Sequence, residues 1–280
     1  MKYKNIALCI LAAFLMNACD NIDEADRLIY VPPASVERAV LIEDFTGQRC
    51  VNCPNATLEI EKLQEEYGAE NIIAVGIHSG PFAHRSTITS PFLPLGTETG
   101  DYYFNFWEVE AQPGTLINRT GGVIYNTQQY AAAVNAALAQ KSPLRMNVYA
   151  ELVSEVGNEH ASFDINVECM TNENISDARL QVWITEDGIV SPQYMPDGSV
   201  KSDYVHNHVF RTSITQDVMG DPIQIQTEST ATAKYRLEMQ EAWNVEKINV
   251  VAFVYGNQGV IQAQTCRLMV VEETDPIPEQ

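Results

Sequence analysis

The sequence predicts an α/β domain followed by an all-β, antiparallel sandwich. Two observations carry that expectation. A strand–helix–strand pattern occupies residues 39 to 77, and beyond Ser142-Pro143 the hydrophobic period changes from 3.6 to 2. The length of 280 residues fits two domains at about 150 residues each. Hydrophobic residues make up 45% and charged residues 19%, a globular balance that excludes a disordered chain. With 17 basic side chains against 37 acidic ones the net charge is −20. Such a surface repels phosphate, which excludes general nucleic-acid binding and adhesion to anionic lipid through a basic patch.

The first element is an apolar run, Ile6 to Met16, behind Lys2 and Lys4. It is too short to span a bilayer but suits the centre of a secretory signal, which gives a signal peptide over residues 1–18. Leu15-Met16-Asn17-Ala18-Cys19 resembles a bacterial lipobox, which implies a lipid on Cys19; the alternative is a plain signal with an incidental Cys. Residues 19–35 read as an acidic tether: Asp20, Asp23, Glu24 and Asp26 lead to a stiff Pro32-Pro33 spacer. The expected address is the outer membrane, lipid-anchored, on its periplasmic face or at the cell surface. Disulfides persist in such a compartment, so Cys50, Cys53, Cys169 and Cys266 all need explaining.

The α/β domain is expected over residues 36–141. Ala39-Val40-Leu41-Ile42 begins a buried strand, Thr46-Gly47 breaks it, and a helix runs from Pro54 to Tyr67 with Gly68 as cap. Ile72–Ile77 is a second buried strand, parallel to the first through a right-handed crossover. Residues 78–108 are irregular and aromatic and read as an insertion with some helix. A strand over Pro113–Asn118, a hairpin around Gly121-Gly122 and a helix over Thr127–Gln140 complete the domain. Residues 143–272 carry short alternating strands, among them Met146–Leu152, Phe163–Val167, Tyr204–Arg211 and Ile248–Tyr255. Turn signals separate them, as in an immunoglobulin-like sandwich. Residues 273–280 form a loose acidic tail.

Chemistry concentrates at Cys50-Val51-Asn52-Cys53, a C-x-x-C between a buried strand and a helix start. One such pair supplies two thiolates, where a structural zinc site wants four ligands. At a helix N-terminus the first sulfur meets free N–H groups and the positive dipole end, and Arg49 adds charge. Cys50 is therefore expected to be the exposed nucleophile, and Cys53, on the buried helix face, the resolving thiol.

Asp44 through Pro54, together with Pro113, resemble the thioredoxin superfamily. That resemblance implies that Asp44, six residues before Cys50, moves a proton to and from Cys53 through water. It also implies that Pro113 is a cis-proline which, with Gln112, holds substrate backbone. Arg49 stands where that superfamily usually has Trp, and Ile72–Ile77 lacks its basic residue. The whole chain resembles a narrower group, the twenty-eight-kDa outer-membrane-protein family of bacteroidete lipoproteins. The matching pieces are the lipobox, Glu43-Asp44-Phe45-Thr46-Gly47, Asn118-Arg119 and Asn207-His208-Val209-Phe210-Arg211.

Other readings stand beside these. A metal held by the two Cys with His78 or His84 is one. His206 and His208, placed on one face of a strand, are sterically compatible with another. Cys169 and Cys266 either pair or remain small buried hydrophobes. The sequence calls for no cofactor and no metal. The leading function is thiol–disulfide exchange of oxidase or isomerase type on extracytoplasmic protein or peptide thiols. The alternative is a surface interaction lipoprotein on a redox-inert scaffold.

Overall fold

Strand β1 (Val40–Thr46) is buried at every position, as a central strand covered on both faces must be. The turn at 47–52 leads into helix α1 (Cys53–Tyr67), whose first turn contains Pro54, where a missing N–H costs nothing. Gly68 closes that helix at φ 90°, its N–H donating to the Gln64 carbonyl. Strand β2 (Ile72–His78) returns parallel to β1, in register from Val40↔Ile72 to Thr46↔His78. The computed structural model describes residues 36–86, 90–153 and 162–270, all within one compact unit. The expected signal peptide, Cys19, the tether and the acidic tail lie outside the described residues.

The insertion carries helix α2 (Glu98–Phe106), capped by Thr97, whose Oγ1 accepts from the Gly100 N–H. After a cis Gln112-Pro113 peptide, β3 (Gly114–Ile117) pairs antiparallel with β1 and forms a hairpin with β4 (Thr120–Ile124). The hairpin turns at Asn118-Arg119, not around Gly121-Gly122 as the sequence suggested. Asn118 and Arg119 take φ 51° and 55°, the positive values a tight hairpin turn demands, so the two glycines fall inside β4. Helix α3 (Tyr130–Leu138) turns Tyr130, Val134 and Ala137 inward. With α1 it packs against Val40, Ile42, Ile72 and Ile117 on one face of the sheet.

Six long strands and two five-residue ones follow: β5 (Leu144–Val153), β6 (Ser162–Thr171), β7 (Ile175–Glu186), β8 (Val209–Ser213), β9 (Asp221–Ile225), β10 (Thr230–Glu238), β11 (Ile248–Gly256) and β12 (Gly259–Arg267). The strand expected over Tyr204–Arg211 is broken into Val205–His206 and β8, because His208 adopts φ 55° between them. Strands β10, β6 and β5, with Met269–Val270, make a four-stranded sheet. The other sheet is mixed and has nine strands, in the order β12-β11-β7-β8-β2-β1-β3-β4, with β9 also on β7.

The change of period at Ser142-Pro143 coincides with the passage from α3 to β5, yet strands from both sides of it share the nine-stranded sheet. The joint is the parallel pair Val209↔Gly76, with the Gly76 N–H 2.8 Å from the His208 carbonyl. Two cores flank the C-terminal strands. Leu144, Phe163, Val182 and Val250 fill the space between the two sheets. On the opposite face Phe45 and Val75 share a core with Trp183, Phe210 and Phe253. The fold is thus mostly strand with few helices, organised on one large mixed sheet.

Candidate functional site

Thr46 ends β1, and Gly47 lets the chain pass close beneath residues 82–83: a Cβ there would lie 2.5 Å from the Phe82 carbonyl carbon. The turn closes with the Cys50 N–H on the Gly47 carbonyl at 3.0 Å. Cys50 and Cys53 form a disulfide with Cα atoms 5.4 Å apart. The Cys53 N–H, at the start of α1, donates to Cys50 Sγ at 3.1 Å. That contact brings a helix-terminal donor to the sulfur expected to attack.

The expected exposure of Cys50 is corrected by the structure: Cys50 is 3% and Cys53 1% exposed. Two segments cover them. On one side Arg49 is held by the 80–85 loop, its guanidinium donating to the carbonyls of Pro81 (2.9 Å) and Ala83 (3.3 Å). On the other lies an excursion between β7 and β8, residues 187–208. Within it Ile189–Val190 pairs with Val205–His206, and Gln193–Tyr194 with Val200–Lys201. Buried Gln48 ties the Cys50 turn to both flanks. It receives the His84 N–H on Oε1, donates to the Leu93 carbonyl, and receives the Tyr194 N–H on its own carbonyl. Gln193 donates to the Cys50 carbonyl at 3.0 Å and the Gly47 carbonyl at 3.4 Å.

Asp44 is 5% exposed and stands opposite Thr115 across β1 and β3. Thr115 Oγ1 donates to its carboxylate at 3.0 Å and meets Tyr130 OH at 2.6 Å. Burial raises the Asp44 pKa to about 7, against the smaller opposing effect of the Thr115 hydrogen bond. Asp44 and Cys53 line one cleft together with His78, Tyr204 and His206. The cleft holds about 50 Å³ of free space, enough for about three to five waters at about 10–15 Å³ each. The His78 and His206 rings meet edge to face at 5.2 Å. Burial and the neighbouring His206 push the His78 pKa well down, and burial lowers His206 to about 4. Among the described residues Nδ1 of His78 meets no hydrogen-bond partner.

The remaining sequence candidates take definite places. Gln112 donates to the carbonyls of Thr46 (2.7 Å) and Ser79 (3.1 Å), which ties the ends of β1 and β2 beside the turn. His208 does not act with His206 from one strand face. The break at φ 55° turns its ring to Asp187, 3.1 Å away, while His206 Nε2 lies 3.2 Å from the Ser191 carbonyl. His84 Nε2 contacts the Ser86 carbonyl. Cys169 and Cys266 are unpaired thiols, raised by burial to about 12 and about 11. They lie in different sheets, Cys169 opposite Met146 and Cys266 opposite Val250. Among the described residues no group of three or more His, Cys, Asp or Glu side chains is placed to hold a metal.

Three features escaped sequence reasoning: Gln193, the His78–His206 pair, and the ion pair of Glu43 with Arg119. Only the last had a signal, an acid inside an apolar strand.

Fold and site together define a mostly-strand chain on one large mixed sheet, with a disulfide at a helix start beside a buried carboxyl. The family profile of outer membrane protein Omp28 matches residues 100–271, more than half of the chain, and the chain belongs to that family of outer membrane proteins. Its address is the outer membrane. The matched residues begin after Cys53, so membership by itself says nothing of the disulfide. Among solved structures, HBP35 of Porphyromonas gingivalis is similar at TM-score 0.64 and 16% identity, over 89% of this chain and 81% of that one. A domain of the outer membrane lipoprotein Omp28 from Porphyromonas gingivalis aligns at TM-score 0.33 and 15% identity, over 47% of this chain and 92% of that one. No curated protein sequence matches.

Proposed function

We propose that this outer membrane protein is a thiol–disulfide oxidoreductase of oxidase or isomerase type. Residues 36–141 would be its thioredoxin-like part, residues 143–272 an immunoglobulin-like sandwich, and Cys19 its lipid anchor. The observation that carries the reading is the Cys50–Cys53 disulfide at the start of α1, with the Cys53 N–H on Cys50 Sγ and Asp44 lining the same cleft as Cys53. The sheet order β2-β1-β3-β4, with α1 crossing between the parallel β1 and β2, supports the thioredoxin-like reading.

In the oxidising direction a client thiolate attacks Cys50 Sγ, the Cys50–Cys53 bond breaks, and Cys53 leaves as a thiolate. A carboxyl with pKa about 7 is suited to protonate that thiolate through water near neutrality. A second client thiolate then attacks the mixed disulfide and releases the client disulfide. Two electrons remain on the Cys50–Cys53 dithiol, and a disulfide-class oxidant outside the cytoplasm withdraws them. Pro113 and the Gln112 backbone would hold the client strand.

A second reading, a surface interaction protein with a permanent staple, is favoured by the burial of both cysteines. Redox titration of the full chain against glutathione separates the two. An exchange centre equilibrates at potentials above about −230 mV, whereas a structural staple lies below about −300 mV. In parallel, Cys53→Ser should accumulate mixed disulfides and Cys50→Ser should not. A staple-like potential with no trapped adduct would overturn the oxidoreductase reading.

A further inference from the structure

The excursion at residues 187–208 has an inner and an outer side. Ser191, Gln193 and His206 are buried, whereas Val190, Val200 and Val205 are each about half exposed. Its base is fastened twice: the Gly188 N–H donates to Asn207 Oδ1 at 3.0 Å, and the His208 N–H to Asp187 Oδ1 at 2.6 Å. Its inner side is fastened to the Cys50 turn through Gln193 and Tyr194, by the bonds to Cys50, Gly47 and Gln48, and to the neighbouring loop by the Leu93 N–H on Ser191 Oγ at 3.0 Å. A segment rooted at its base and hydrogen-bonded on its inner side opens at far lower cost than the sheet beneath it.

We propose that residues 189–206 form a strap over the Cys50–Cys53 disulfide, and that Gln193 is the positioning residue that latches it and sets how fast a thiol reaches Cys50. The proposal rests on the oxidoreductase reading for its purpose, though not for its geometry. Covered as it is, Cys50 offers an incoming thiolate no approach until the strap lifts. Gln193 is suited to latching because one side-chain amide reaches two carbonyls of the turn. A Glu of the same shape presents only acceptors to those carbonyls.

The test is the rate at which dithiothreitol reduces the disulfide of the folded full chain, and the rate at which oxidised glutathione restores it. Gln193→Ala and Gln193→Glu should raise both rates about tenfold, the equivalent of about 1.4 kcal/mol. The equilibrium potential should stay unchanged, because a latch alters access in both directions equally. Unchanged rates in both variants, or a shifted potential without faster exchange, overturn the latch. The unaltered protein supplies a check should the variants fail to fold. Its reduction rate should rise only weakly with urea, because lifting the strap exposes little surface. A urea dependence as steep as that of global unfolding overturns the strap. A staple-like potential with this gating intact would remove the oxidoreductase reading and leave the strap standing.

Discussion

Arg119 grips Glu43 with two parallel bonds of 2.8 Å, Nε to Oε2 and Nη2 to Oε1, and both side chains are buried. The guanidinium also lies 4.4 Å from the Tyr255 ring centroid and 4.7 Å from that of Phe253. One cation therefore binds the hairpin turn to β1 and to β11, across the two halves of the large sheet. Burial works to lower its pKa, but the Glu43 carboxylate more than offsets this and holds it above its ordinary value.

Removing one partner leaves the other as an uncompensated buried charge. Arg119→Met should therefore cost about 3–5 kcal/mol in urea unfolding. Glu43→Gln combined with Arg119→Met should cost less than Arg119→Met alone, since no lone charge remains. Additive losses in the double variant would contradict this account.

Asp44 has a folded-state pKa of about 7, above its unfolded value, so its contribution is favourable in acid and lost as pH rises through 7. Asp44→Asn should stabilise the protein above pH 7, by up to about 4 kcal/mol. The gain should shrink as pH falls toward 5. Stability curves at pH 8 and pH 5 check it, and a gain larger at pH 5 would reverse the sign.

His206 behaves in the opposite sense. Its folded pKa of about 4 lies below the unfolded value, so stability is full above about pH 6.5 and lost as pH falls through 4. The loss at this site amounts to up to about 3 kcal/mol. The groups facing it are His78 and Tyr204, with ring centroids 5.2 Å and 4.8 Å away. In an Asp44→Asn background, which removes the counteracting carboxyl, His206→Phe should flatten the acid limb of the stability curve. An equally steep limb in that variant would assign the acid loss elsewhere.

Cutting the chain before Pro143 would strip Phe45 and Val75 from Trp183, Phe210 and Phe253. A fragment of residues 143–270 should therefore bind apolar dye and aggregate, while the full chain should not. A soluble, dye-silent monomer would show that the sandwich core alone suffices.

The sequence made the local elements readable wherever one residue type forces the backbone. Pro54 and Gly68 bound α1, and the period-2 stretches from Met146 and Phe163 became β5 and β6. It could not reveal that β8 joins β2, because one pair, Val209↔Gly76, leaves no mark on hydrophobic period. The Gly121-Gly122 turn was misplaced because Arg119 accepts a positive φ while bound to Glu43. At the site, the Cys50–Cys53 pair could be placed at a helix start from its spacing, and Asp44 came into view only through the resemblance to the thioredoxin superfamily. Their cover was not: Gln193 has the chemistry of any surface glutamine until the fold returns it to Cys50.

That return has a consequence for the order of events during biogenesis. Gln193 follows Cys50 by 143 residues in the chain. When synthesis and export proceed from the N-terminus, both thiols emerge long before the segment that will seal them exists on the far side. The nascent chain is then the form whose dithiol is most open to a disulfide-class oxidant, and only afterwards can residues 189–206 dock over the pair. On the proposed strap, closure before oxidation would seal a dithiol and closure after it a disulfide, so the order of the two events is among the things that set the state of the pair.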